Sequence, residues 1–351
     1  MPNFDAAELA VALEAVYRAK GVPPVEAGVV VRHQLDANLA GHDSHGVITT
    51  AQYLRQIDRG EIVPGAAFEV EQETSTTAVV NGNWGFGFVI TDQAVSLGIE
   101  KARSSGTAAI TIRQQGHMGR LGSYATTIAD EGMIALVTAD SGRGPKAVAP
   151  FGGRTARLGT NPVCFGIPSD LPGPIVLDMA TSAVAAGKVA LARDTGKSAP
   201  EGWFLDAEGR PATDPAAYFA GGALLPLGGD QGHKGFGLSF VVEILCGLLT
   251  GLGHGVAADG RHNDGSFIAI FDVARFRDLS VFKRDVAEFV EYIHTSPRAD
   301  DVSDIFYPGE VEYRTRGQRE AHGIPIDAGI WSTLSRLMEE LGVPVPAPHP
   351  A

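Results

Sequence analysis

Cysteine is scarce. Only Cys164 and Cys246 occur in 351 residues, both among apolar neighbours, so no disulfide framework can staple the chain. Basic charge is also scarce: 28 lysines and arginines against 41 aspartates and glutamates leave a formal net charge of -13, which works against binding a phosphate backbone. No charged-then-apolar leader opens the sequence. The apolar stretch nearest to membrane-span length, Gly235 to Gly253, is broken by glycines and carries Glu243 in its middle. These absences set the expectation of a cytoplasmic protein that contacts neither nucleic acid nor membrane, with that stretch as a buried helix.

What is present points to a folded catalyst or binder. Apolar residues make up 44% of the chain, enough for sizeable cores, and the length suits two or three domains. Glycine is abundant, 44 of 351 residues, about 12.5% against a usual ~7%. The glycines cluster between apolar runs, where the backbone turns sharply or approaches a ligand closely.

Helical spacing runs through DAAELAVALEAVYRAKG and PPVEAGVVVRHQLDANLAG, with stops at Gly21 and Gly41, and a third helix is expected over VITTAQYLRQIDRG. From Phe68 the period changes: FEVEQE and TTAVVNG read as paired strands, and Thr91 or Asp92 as the cap of a helix through QAVSLGIEKARSSG. Strand TAAITIRQQ, loop GHMGRLG, helix SYATTIADEG and strand MIALVTAD follow as one unit. Further strands are expected at NPVCFGIP, GPIVLDMA and SFIAIFD. Helices are expected over Ala183–Arg193, after His233, over Ser280–Ile293 and over Ile326–Leu341. Residues Thr195 to Gly232, rich in Gly, Pro and Asp, read as a long loop.

Three clusters carry candidate chemistry. GHDSHGV, Gly41 to Val47, admits three readings: a metal clip through His42 and His45, a proton-transfer site, or a helix start capped by Asp43 or Ser44. GHMGRLG, Gly116 to Gly122, follows a strand and opens a helix, where backbone N–H groups attract an anion, and Asp140 stands where a ribose-binding acid would. Its G-x-x-G-x-x-G spacing is not the dinucleotide fingerprint, and glycines on either side favour exposure of His117. In GHKGFG, Lys234 sits at a helix start that favours negative charge, a conflict that a bound phosphate would relieve.

GHDSHGV with Tyr53, then GHMG, GTNPVCFGIP, LDMATS, AAGK, PEGWFLDAEGRPATDP, LLPLGGDQGHKGFGLSFVVEIL and YPGE occur in an order that resembles one family across residues 5–343. It is the family of NAD(P)-dependent malate, L-lactate, L-sulfolactate and ureidoglycolate dehydrogenases, which includes diketogulonate reductase and reductases of cyclic imines such as piperideine-2-carboxylate. The resemblance implies a homodimeric oxidoreductase of α/β (α+β) class that uses NAD or NADP and interconverts a 2-hydroxy acid and its 2-oxo form, with imine reduction as the alternative. It implies a non-Rossmann nicotinamide-binding sheet, mixed and largely antiparallel. A helical part over 1–65, a cofactor-binding and catalytic sheet domain over 66–255 and a C-terminal part over 256–351 completing the helical domain are expected.

The same resemblance distributes roles. Ser44 and His45 fall at the reacting centre with His45 moving the proton, joined by His117 and Lys188; Thr49, Tyr53, Thr160 and Asn161 fall at the substrate. Cofactor positions are His117, Met118, Gly119, Arg120, Leu121, Ser141, Asp178, Met179, Ala180, His233, Lys234, Gly235, Gly309 and Glu310. No metal is implied. Two positions at which many relatives carry a carboxylate-binding arginine are Thr49 and Ala186 here, and neither side chain can supply a bidentate grip. Lys188, His42 or Arg120 is then left to take the carboxylate, or the substrate is not a simple 2-oxo acid. The imine reductases carry aspartate at the position of Lys188, so this lysine favours the hydroxy-acid branch.

Overall fold

The computed structural model describes residues 1–140, 142–258, 260–261 and 265–348. Strand β1 (Asn3–Phe4) leads into α1 (Ala6–Ala19), which starts on the Asp5 carboxylate as it accepts the Ala7 and Glu8 N–H groups. Helix α2 (Pro24–Leu39) opens on a proline, as a first turn tolerates. Gly21 and Gly41, after the two helices, both adopt positive φ (81° and 87°), which only glycine takes without strain. Helix α3 (Thr50–Asp58) is shorter than expected, because Val47–Thr49 winds as a separate 3₁₀ turn.

The sheet orders its seven strands β2 (Glu69–Glu73), β3 (Thr77–Gly85), β4 (Thr107–Gln115), β11 (Gly265–Asp272), β5 (Met133–Ala139), β6 (Val163–Ile167) and β7 (Ile175–Met179). Only β3 and β4 pair in parallel; every other neighbouring pair is antiparallel. The unit expected from TAAITIRQQ to MIALVTAD is therefore no Rossmann crossover: β11 runs between β4 and β5, placing Phe267 opposite both Thr111 and Thr138. This strand comes from the segment expected to complete the helical part, yet it is the middle strand of the sheet. Helices α4 (Gly87–Ser105) and α5 (Leu121–Asp130) cover one face, where Ile110, Ile112, Val137, Ile268 and Ile270 are fully buried. Side chains of this size contribute about 1.5–3 kcal/mol each when fully buried. Thr91 and Asp92 lie inside α4 and do not cap it; Asp92 pairs with His33 at 2.9 Å instead.

The expected long loop is folded. After α6 (Ala186–Asp194) come β8 (Phe204–Leu205), β9 (Pro211–Ala212), α7 (Pro215–Phe219) and β10 (Ala223–Leu224), a small antiparallel sheet with its own core of Val148, Val189, Phe204 and Leu224. Helix α8 (His233–Glu243) continues as a π-helical turn over Ile244–Leu248, and α9 (Leu279–His294) follows β11. Helix α10 (Glu310–His322) has no apolar period to announce it. Strand β12 (Ile324–Pro325) then pairs with β1, and α11 (Ala328–Glu340) packs Leu334 and Met338 into one core with Leu9, Leu13 and Tyr17. The two ends of the chain thus share one helical part. Among the described residues, no helix is long and apolar enough to cross a membrane.

Strand β6 and helix α5 approach closely at Gly166, where an added Cβ would lie 2.4 Å from the Ala125 carbonyl oxygen. Gly166→Ala is expected to cost about 1–3 kcal/mol through forced backbone movement. A lowered urea midpoint at unchanged slope is the expected observation, and an unchanged midpoint would contradict the packing described.

Candidate active site

The turn after α2 carries His45. Neither Asp43 nor Ser44 caps a helix there; the side chain of Asn38 organises the turn. Its Oδ1 accepts the Val47 N–H at 2.8 Å and its Nδ2 donates to Asp43 Oδ1 at 2.7 Å. The approach is so close that a Cβ on Gly46 would lie 2.2 Å from Asn38 Oδ1. Helix α10 clamps the turn from outside: Arg319 donates to Asp43 Oδ2 at 3.0 Å, and His42 Nε2 lies 3.1 Å from Glu312. His42 is thereby committed to a carboxylate. Among the described residues no group of three or more His, Cys, Asp and Glu side chains converges as a metal site would need.

Ser44 Oγ lies 3.0 Å from His45 Nδ1, which leaves Nε2 of the ring for a substrate. The His45 and His117 rings stack with centroids 5.6 Å apart, and the buried Tyr53 hydroxyl lies 2.6 Å from His117 Nδ1. A chain of hydroxyl and imidazole groups thus joins α3 to the glycine loop and the turn that carries His45. Burial pushes the His45 imidazole below the usual histidine value; the Asp178 carboxylate pulls the other way, while His42 and Arg120 reinforce the lowering.

His45 stands in the wall of a cavity of about 360 Å³. The other walls include Gly119–Leu121 of the glycine loop, Thr160, Asp178–Ala180 at the end of β7, and Val184, Ala185 and Lys188 at the start of α6. Asp178 fixes the glycine loop by accepting the Gly122 N–H at 2.7 Å. Arg120 is buried in the wall; Asp36 holds it at 3.2 Å, and Asp178 stands 4.0 Å from its Nε. Burial disfavours the Asp36 charge, but Arg120, Ser123 and Arg316 outweigh that and hold its carboxyl below the usual range. Arg120 Nε itself has no hydrogen-bond partner.

Other expected site residues stand apart from this cavity. Thr49 is buried, donating to the Gly46 carbonyl at 2.8 Å and accepting from Gln34 at 2.9 Å, so it does not face a substrate there. Asn161 lies buried behind Thr160, donating to Ser239 O and to Glu243, which in turn binds Lys146 at 2.9 Å. Met118 is a core residue against Ser266 and Tyr124. Asp140 is buried, with its carboxylate accepting the Gly142 N–H at 2.9 Å, a structural role for the candidate ribose-binding acid. Lys234 is exposed in the first turn of α8, beside His233, which meets the Phe151 ring edge-on at 5.7 Å. Gly235 packs so tightly on Leu227 that a Cβ would lie 2.2 Å from its carbonyl oxygen. Gly309 (φ 97°) and the buried Glu310 open α10 beside β7, where Val176 N–H donates to Pro308 O at 3.0 Å. Ser141 lies outside the described residues. Asp36, Asn38 and Arg319 escaped sequence reasoning, because a lone acid or amide inside a helix carries no local signal.

A family model described as malate/L-lactate dehydrogenase matches residues 4–335. L-sulfolactate dehydrogenase of Methanothermobacter thermautotrophicus is 37% identical over 337 residues, 94% of this chain and 95% of that one. Among solved structures, malate dehydrogenase from Entamoeba histolytica superposes with TM-score 0.93 at 29% identity, covering 98% of this chain and 99% of that one. Delta1-piperideine-2-carboxylate reductase from Pseudomonas syringae pvar. tomato superposes with TM-score 0.85 at 31% identity, covering 96% and 100%. The chain belongs to the malate/L-lactate dehydrogenase family, oxidoreductases that act on a CH–OH group with a nicotinamide cofactor.

Proposed function

We propose that the protein interconverts a 2-hydroxy acid and its 2-oxo form with NAD or NADP, His45 serving as the acid–base group. The observation that carries this reading is the His45 ring in the cavity wall, held at Nδ1 by Ser44 and biased toward its neutral form by burial. In oxidation, His45 Nε2 takes the hydroxyl proton while the substrate C–H leaves as hydride, so one proton and one electron pair depart together and a carbonyl remains. A bound nicotinamide supplies the acceptor for that hydride, or its donor in reduction. His117, tied to Tyr53 and stacked on His45, orients the other side of the reacting group.

The residues present fit such a cofactor. Gly119–Leu121 and Asp178–Ala180 line the cavity, with Thr160 as a hydroxyl partner and Lys188 and the partnerless Arg120 Nε as cationic donors. Lys234, Gly235, Gly309 and Glu310 stand outside that cavity and join the proposed cofactor set on the family pattern alone. Reduction of cyclic imino acids is the second reading, supported by the likeness to the piperideine-2-carboxylate reductase. Lys188 and Arg120 in the wall favour the first, because two cations repel an iminium substrate. The homodimer and the cytoplasmic location belong to the same proposal. Support for the dimer comes from α8 and its π-helical turn, where Leu238, Phe240, Val241, Ile244 and Leu248 are 40–53% exposed in a row.

His45→Ala is expected to lower turnover of 2-oxo acids by roughly 10²–10⁴-fold while NAD(P)H affinity, read by fluorescence titration, stays within a few fold. Retained activity would remove His45 from the mechanism. Oxidation requires neutral His45, so the acid limb of kcat/KM for hydroxy-acid oxidation is expected below pH 6.5, the ordinary histidine value. Asp178→Asn removes the charge that favours imidazolium and moves the limb lower still; a shift upward would contradict the electrostatics described. Sedimentation is expected to give twice the 36.8 kDa chain mass, falling toward one chain in Phe240→Glu.

A further inference from the structure

His117 lines a second cavity of about 360 Å³, walled also by Trp84, Gln115 and Arg261. Its surroundings are strained. The β3–β4 ladder jumps from Asn81 opposite Arg113 to Gly85 opposite Gln115, and the residues in the gap take left-handed backbone: Asn83 (φ 47°), Trp84 (φ 62°) and, across from them, Gln114 (φ 53°). These are three of the five non-glycine residues with positive φ among those described. Such conformations persist where the surrounding structure enforces them, and they concentrate at ligand sites. Here they present the Trp84 indole to Arg261, whose guanidinium lies 3.9 Å from the ring centroid.

Arg261 is braced but not neutralised. Its Nη1 donates to the Glu61 carbonyl oxygen at 3.0 Å, while the Glu61 carboxylate sits 3.8 Å from Arg59. Among the described residues no carboxylate pairs with Arg261, whereas Arg120 in the first cavity is held by Asp36. A guanidinium has five N–H donors in one plane; stacking uses its face and one carbonyl uses one donor, so most of the fork stays open to an oxyanion. The two positions expected to carry a carboxylate-binding arginine are Thr49, which is turned into the core, and Ala186.

We propose that Arg261, braced on Trp84, binds an oxyanion of the substrate, placing its acid end in this second cavity and its reacting carbon at the His45–His117 pair. Cofactor and substrate then approach that pair from opposite sides. The proposal rests on the reading of the protein as a 2-hydroxy-acid oxidoreductase and names the group that gives it acid specificity. The oxyanion is the carboxylate next to the reacting carbon or a distal carboxylate or sulfonate; the shared chemistry is a planar or tripod oxyanion.

The test compares wild type, Arg261→Gln and Arg261→Lys with pyruvate and oxaloacetate, and measures oxamate binding to the NAD(P)H-loaded enzyme by calorimetry. Arg261→Gln is expected to raise KM about 10–100-fold, the worth of a charged hydrogen-bonded contact, with kcat within a few fold and NAD(P)H affinity unchanged. Arg261→Lys recovers part of the loss. Equal loss with both acids assigns the adjacent carboxylate; loss confined to oxaloacetate assigns the distal one. Trp84 acts through Arg261, so Trp84→Leu is expected to raise KM less at unchanged kcat, and Trp84→Phe to restore it. Wild-type KM in folded, NAD(P)H-binding Arg261→Gln overturns the proposal. If wild type turns over neither acid, Arg261-dependent oxamate binding upholds the site while the proposed reaction falls; absence of that binding overturns the site as well.

Discussion

The grip of Asn38 on both ends of the turn that follows α2 sets the position of His45. One amide accepts from Val47 and donates to Asp43, and Gly46 is the residue small enough to let it in. The turn has no helix cap of its own, so without this bridge two successive 3₁₀ turns would carry an unanchored imidazole. α10 reinforces the arrangement. Glu312, Arg316 and Arg319 lie on one side of that helix and pair in turn with His42, Asp36 and Asp43. Ion pairs at exposed positions are individually weak, but three of them on one rigid helix share the entropy cost of alignment.

Asp36 extends the same network into the cavity. It holds Arg120 in the wall, accepts from Ser123 at the start of α5 and binds Arg316 of α10, so α2, the glycine loop and the helix after Gly309 are tied through one carboxylate. The lowered value of His45 follows from this closeness: burial, with His42 and Arg120 beside it, acts against one carboxylate. A proton acceptor that stays neutral near neutrality is suited to removing a proton from a hydroxyl.

Most helices and strands were legible because their signals are local. Gly21 and Gly41 end helices through a backbone shape that only glycine adopts easily, and MIALVTA and SFIAIFD are long apolar runs of the kind a sheet interior requires. α10 was not legible: it is mostly polar, with Glu310 as its one buried residue, and is held by ion pairs to α2 and the turn of His45. The strands of the small sheet are two residues each, too short for any period to register. The insertion of β11 between β4 and β5 is a non-local choice that neither strand encodes by itself.

By itself the sequence determined the local turns that carry the candidate residues and, through the order of its motifs, the family. Locally, the glycines around His117 marked it as exposed, whereas the turn of His45 stayed open among three readings and His45 became a candidate only through the family resemblance. The tertiary structure alone decided which of these groups meet, that Thr49 turns inward, and that Arg261 comes to stand beside His117 on a tryptophan held in left-handed backbone. The physical reason is distance along the chain. A cation acquires its role from what surrounds it in space, and Trp84, Gln115, His117 and Glu61, which share the cavity with Arg261, come from β3, β4, the glycine loop and the segment after α3, all far from it in sequence.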